Sequence, residues 1–316
     1  MKPSFRNRVL LDEHRRIEMN DIRVLTEGVT NLVFDPSGDE TKAWIGEATG
    51  KIGDWRSFSR SAYMRWALII NAVHVSENYY TNLPKDRALE VRVVREEHNR
   101  LFQKPLKTWK GPIAASAYHE IIPTIAGYGV ADLFGVLEEI VFDAYEILLR
   151  HSPRALMEGA EFRDLRRLYG RREASEADAE AWARAWSERF DKWRRKRAYD
   201  PLHRVFAAFF NEGGLKRPSY FKVTDVADWA RSIETIAELR HLITHGEGQA
   251  SEQLQKLCEQ TGMGWTFKAG EELRVELIHL QEVEYFIDQL LTALNVSLCE
   301  KGWGKAMMNE LKRSER

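Results

Sequence analysis

Residues 130–149 constrain the fold more than any other part of the chain. Leu133, Leu137, Ile140, Val141, Ala144 and Leu148 recur there at three- and four-residue steps, and Asp132, Glu138, Glu139 and Asp143 occupy the rest of the circumference. That period makes a long helix with one apolar side, which needs other elements packed over it. The same period returns along the chain. Residues 59–80 place Tyr63, Trp66, Ala67, Ile70 and Val73 at helical steps before Asn82-Leu83-Pro84 ends the run. Residues 87–102 read as a further helix.

Ser175, with Asp178 three positions on, caps a helix that carries Trp182, Trp186, Phe190 and Trp193 on one stripe. Residues 201–210 form a short apolar helix. Thr224 is expected to cap the helix after it. Residues 281–298 close the chain with Val283, Phe286, Ile287, Leu290, Leu291 and Leu294 at core spacing. Strand signals are few: residues 23–34 alternate loosely before the turn Asp35-Pro36-Ser37-Gly38, and residues 264–277 read as a small hairpin turning at Ala269-Gly270. Gly127 and Gly129, on either side of Tyr128, read as a turn. The expected fold is mainly α: a helical bundle with a long insertion (111–316) behind a smaller N-terminal subdomain (1–110), divided at residues 105–111.

Charge narrows the choice of partner. The 316 residues hold 47 basic and 48 acidic side chains, a net of −1, so any attraction for nucleic acid must be local. Two cysteines, Cys258 and Cys299, make no disulfide framework and no metal motif, which favours a reducing, cytoplasmic setting. The basic start (Lys2, Arg6, Arg8) is followed by no apolar signal core, and the apolar run 66–73 is too short to span a membrane.

The chemistry concentrates in residues 237–248, Ala-Glu-Leu-Arg-His-Leu-Ile-Thr-His-Gly-Glu-Gly. On a helix His241 and His245 share a face, while Arg240 and His245 stand about 140° apart. Gly246 permits the helix to end at His245 and its last turn to open. Leu239, Leu242 and Ile243 would hold that turn against the core. A fixed cation and a titratable imidazole are the parts needed to cleave RNA without a metal: the imidazole moves a proton, and the guanidinium holds phosphate charge. Two other readings stand beside this one. Basic residues at a helix C-terminus favour the dipole with no further role. His241-x-x-x-His245 also has the spacing of two helical zinc ligands, as in a zinc-dependent hydrolase. Leu242 stands where such a motif has glutamate, and only His203 and His279 offer themselves as a third ligand. No metal and no cofactor is therefore expected.

An arginine, a polar residue, three further positions and a histidine, after an aliphatic helix and before glycine, resembles the R-x4-6-H motif of HEPN domains. The layout is similar as well: a long helix at 130–149, an insertion, the motif helix and a closing helix, over roughly residues 115–300. The resemblance implies an all-α bundle, usually dimeric and often a metal-independent endoribonuclease of prokaryotic toxin or antiviral-defence systems. Some members act instead as catalytically silent binding modules or scaffolds. It implies catalytic roles for Arg240 and His245 with His241 assisting, and a homodimer whose two motif helices form one groove, the second copy supplying a second imidazole. The long charged insertion departs from the family layout.

RNA is the expected partner, and a second set of residues could hold its backbone. Residues 192–197 put Lys192, Arg194, Arg195 and Arg197 around Trp193, and arginines also stand at 163, 166, 167, 171 and 172. The competing reading is a solvated helix face, with Glu173, Glu176, Asp178 and Glu180 nearby to neutralise it. Glu138 and Glu139 read either as orienters of Arg240 or as surface acids.

Overall fold

The computed structural model describes residues 31–306 apart from 198 and 220. Most of the strand expected at 23–34 lies outside that range. Among the described residues the fold is mainly α, with eight α-helices and one two-stranded sheet: α1 (Ala43–Thr81), β1 (Ala88–Glu97), β2 (Arg100–Lys110), α2 (Gly111–His151), α3 (Arg163–Arg171), α4 (Glu176–Arg197), α5 (Leu202–Glu212), α6 (Val226–His245), α7 (Glu252–Gln260) and α8 (Leu277–Trp303). No described helix is long and apolar enough to cross a membrane.

The frame is three long helices. α1 lies along α2 and against α8, and α2 also receives α5 and α6. Ile52, Trp55, Leu133, Leu137, Val283, Ile287 and Leu291 meet in one core. The division expected near residue 110 falls between β2 and α2. α1 on one side of it and α2 and α8 on the other contribute to the same core. Tryptophan and acid pairs fix the helices against each other. The indole N–H of Trp55 donates to Asp143 at 2.7 Å, and that of Trp66 donates to Asp132 at 3.0 Å. The buried Arg56 lies on Asp288 of α8, which also receives Arg60 at 2.9 Å. Burying a guanidinium demands such a partner, because an unpaired buried charge costs several kcal/mol.

Four local expectations change. Gly127 and Gly129 mark no turn: both are buried inside α2, which starts at Gly111 and runs through Pro123. A Cβ on Gly129 would stand 3.0 Å from Leu280 and 3.1 Å from Trp66, so the missing side chain lets three helices approach closely. Residues 87–102 are a strand and a turn rather than a helix. Val91, Val93 and Val94 suit a pleat better than a helix. His98 and Asn99, at φ 51° and 58°, form the two-residue loop whose twist matches an antiparallel pair. The register runs Ala88↔Lys110 to Glu97↔Arg100 with an irregularity at Val91/Arg92, where Leu106 is the extra residue beside Pro105. Asp225, rather than Thr224, caps α6. Finally, residues 264–277 turn at Ala269-Gly270 but pair elsewhere: Ala250 N–H donates to Glu271 O at 2.9 Å and Leu273 N–H to Gly248 O at 2.9 Å.

Candidate functional site: the C-terminal end of α6

α6 begins with a reciprocal cap. The Asp225 carboxylate accepts from the N–H groups of Ala227 (2.8 Å) and Asp228 (3.0 Å), and Asp228 accepts from Asp225 N–H at 2.9 Å. This satisfies N–H groups that have no partner within the helix. Trp229, Ile233, Ile236, Leu239 and Leu242 then follow at three- and four-residue steps, all buried. Ile243 lies over Gly127 of α2, its side chain 3.6 Å from where a Cβ would stand. The aliphatic base expected under the motif is therefore present.

The helix stays regular to its last residue. Gly246 is left-handed at φ 71° and its N–H donates to Ile243 O at 3.2 Å, while Glu247 N–H reaches back to Leu242 O at 2.9 Å. The Thr244 hydroxyl donates to Arg240 O at 2.9 Å. The expectation that the last turn opens is thus corrected: these bonds close it. Arg240, His241 and His245 stand exposed above the buried Leu239 and Leu242. The imidazole rings of His241 and His245 lie 4.3 Å apart between centroids, inclined by 52°. The Arg240 guanidinium lies 6.0 Å from the centroid of Phe134 on α2, within cation–π range. One chain therefore brings a guanidinium and two imidazoles to one helix end.

The second set of expected RNA contacts lies elsewhere and is split. Lys192 and Arg195 are exposed at the end of α4. Trp193 is buried, edge-on to Tyr145 at 4.8 Å and close to Phe142, so it offers no face to a base. Arg194 leans over Phe142 at 5.5 Å and Arg197 pairs with Asp200 at 3.0 Å. Phe142 and Phe134 are separated by eight residues of one helix, roughly 12 Å. The two sets thus flank α2 without forming one site. Several arginines of the α3 region are engaged: Arg166 donates to Gly159 O at 2.7 Å, Arg171 meets Asp178 at 3.2 Å and Arg172 meets Glu173 at 2.6 Å.

The residues considered as further zinc ligands do not join the motif. His203 lies on α5, and His279 lies at the start of α8 against Phe267 and Trp265. No three His, Cys, Asp or Glu side chains converge as metal ligands among the described residues. Sequence reasoning passed over Tyr128. It follows Gly127, which packs under Ile243, and it is exposed, so an aromatic side chain stands in the open one residue along α2 from that contact. Reading its flanking glycines as a turn hid it. No family model, no curated protein and no solved structure matches the chain.

Proposed function

We propose that this protein is a metal-independent endoribonuclease of the HEPN type, acting as a homodimer, with Arg240, His241 and His245 as its catalytic residues. The observation that carries the reading is the helix end itself: Arg240, His241 and His245 are all exposed over the buried Leu239 and Leu242, the two rings 4.3 Å apart and the guanidinium on the Phe134 side. Such a base holds reacting groups in place, which is what a site that only positions and transfers protons requires.

In the reaction, a ribose 2′-oxygen attacks the adjacent phosphorus. One imidazole takes the 2′-OH proton as the O2′–P bond forms, and a second gives a proton to O5′ as the P–O5′ bond breaks. Arg240 holds the non-bridging oxygens while their charge grows. The products are a 2′,3′-cyclic phosphate and a 5′-OH. Tyr128 is placed to stack on a flanking base, and Lys192 and Arg195 extend the path of the backbone. The test is cleavage of RNA by purified protein in excess EDTA, with the new ends identified. Cyclic phosphate ends made by wild type but not by His245→Ala support the reading. Binding without cleavage assigns the motif to a recognition module, and cleavage restored only by zinc assigns it to a metal hydrolase.

A further inference from the structure

The β1–β2 ribbon is no part of the core. None of residues 88–110 is buried, and none joins the cluster that α1, α2 and α8 share. Its charge also departs from that of the whole molecule. Residues 85–110 hold eight basic and four acidic side chains, a net of +4 on a chain whose total is −1. The packing of the helices asks for none of these cations.

The register decides where they go. Residues paired across two strands share a face, and neighbours along a strand alternate. On one face Val93 pairs with Lys104, Arg95 with Phe102 and Glu97 with Arg100, and the pairs Val91–Lys107 and Leu89–Trp109 continue it toward α2. Lys104 and Lys107 are three apart and on a regular strand would point to opposite faces. The extra residue Leu106 brings them to the same one. That face therefore carries Arg95, Arg100, Lys104 and Lys107 around Phe102 and Trp109, with Glu97 as its acid. On the other face Glu90 and Glu96 offset Arg92 and Lys110. Local neutralisation follows the same division. Arg92 pairs with Glu90 and Lys104 with Glu97, while Arg95, Arg100 and Lys107 have no ion pair among the described residues. The two sides of one ribbon thus differ by three charges, and the rings lie on the basic side.

We propose that this basic face binds single-stranded RNA, with phosphates on the arginines and lysines and bases on Phe102 and Trp109. Cations interleaved with rings fit a polyanion that carries flat, stackable bases. A lipid surface would be met by the other face, where Val94 and Leu101 are exposed, and that face has no net charge. A duplex of RNA gives the ribbon no groove to enter, since its major groove is deep and narrow. The ribbon reaches roughly 30 Å from Ala88 and Lys110 to its turn. Its base joins α2 at Gly111, sixteen residues or about 24 Å before the Gly127 seat of Ile243. One helix therefore carries both the ribbon and the contact under the motif. That the strand is RNA rests on the reading of the α6 end; the fit to a single strand with bases does not.

Fluorescence anisotropy of a labelled oligouridine with the full chain tests this, in EDTA and in the His245→Ala background so that nothing is cut. Arg95→Ala with Lys107→Ala should weaken binding at least about tenfold and lower the salt slope by roughly 0.7 for each lost phosphate contact. Arg92→Ala with Lys110→Ala removes the same charge from the other face and should change affinity by less than about twofold. Phe102→Ala should weaken binding at least about fivefold, as the loss of one stacked base does, and leave the salt slope as it was. Circular dichroism and melting temperature should stay at the parent's values, because none of these side chains is buried. No binding of the oligouridine, equal losses from the two pairs, or phosphatidylserine vesicles bound in preference to RNA would each overturn the proposal. Ribbon-dependent binding by a wild type that cuts nothing would leave it standing and strike the cleavage reading instead. Cutting by a wild type whose two ribbon faces count alike would do the reverse.

Discussion

Two of the helix ends that carry histidine treat it in opposite ways. At the C-terminal end of α6, His241 and His245 stand in water beside Arg240, where the dipole tolerates a cation. At the N-terminal end of α8, His279 is half-buried, stacked on Phe267 at 4.8 Å and edge-on to Trp265 at 5.7 Å. Its Nδ1 accepts from Glu276 N–H at 2.9 Å, a role open only to the ring without a proton at that atom. Burial pushes its pKa down, against the opposing pull of Glu282 and Glu276. One imidazole is thus held in a cap with its Nδ1 accepting, and two stand exposed at the other helix end. Residue type alone does not separate these roles; the end of the helix and the cover over the ring do.

The largest expected effect tests that division directly. His245→Ala and Arg240→Ala should each lower RNA cleavage by roughly 10²–10⁴-fold with the melting temperature unchanged, since both side chains are exposed. His279→Ala should do the reverse, keeping cleavage while lowering the melting temperature through the lost cap and ring contacts. Single-turnover rates and thermal melts on the same preparations check both halves. Cleavage that survives in His245→Ala and Arg240→Ala would remove the α6 end from the chemistry.

Next in size is the base beneath the motif. Leu239 is fully buried under Arg240, and Leu239→Ala should cost about 2–5 kcal/mol of stability. Because the heads ride on that turn, cleavage should fall as well, at a temperature where the protein is still folded. Denaturant melts and rates measured together check it. Stability lost with the rate intact would mean that the polar heads do not depend on their support.

The sequence made the helices legible and the packing partners much less so. Period located the second half of α2, most of α4 and α8, and the run of α6, and the Ser175–Asp178 cap placed the start of α4, because a buried stripe and a cap are local signals; the first half of α2 and the Asp225 cap of α6 were not read. The hairpin at 88–110 is hidden because the positive φ of His98 and Asn99, which sets its turn, leaves no mark on residues of those types. α1 shows a deeper limit. Trp66, Ile70 and Val73 face α2, whereas Leu68, Ala72 and Val75 face outward, and composition does not say which side is covered. At the motif, the aliphatic base and the glycine stop were readable. The proximity of the two rings follows from their spacing of four, and the last turn is closed by bonds local to residues 240–247; what comes from α6 lying on α2 is the seat of Ile243 over Gly127, which spacing along one helix does not encode.

A smaller effect concerns the basic end of α4. Only Lys192 and Arg195 of the expected set are exposed without an aromatic or acidic partner described for their charge, Arg195 touching a backbone oxygen at 3.3 Å. Changing both to Ala should raise KM, leave kcat, and lower the salt slope of RNA binding by about one unit per lost phosphate contact. Changing Arg194 and Arg197, held by Phe142 and Asp200, should do less. Equal effects from the two pairs would mean that these contacts give way when RNA binds.

The smallest expected effect returns to His279 and fixes its sign. A histidine whose folded pKa lies below its unfolded value of about 6.5 binds fewer protons in the folded state than in the unfolded one between those two values. Stability therefore rises with pH across that window and falls as pH drops below about 6.5. His203 shifts in the same direction, chiefly through burial. Glu284, raised by burial and by Asp288, works the opposite way: its contribution shrinks as pH rises from its ordinary carboxylate range. A comparison of variants isolates one group from this sum. His279→Gln keeps an acceptor at the third position of α8 and removes the titration. The wild type should thus lose more melting temperature between neutral and mildly acidic pH than His279→Gln does. Parallel curves for wild type and His279→Gln would show that burial and the cap do not keep a proton off the N-terminal ring, and the contrast between the two helix ends would collapse.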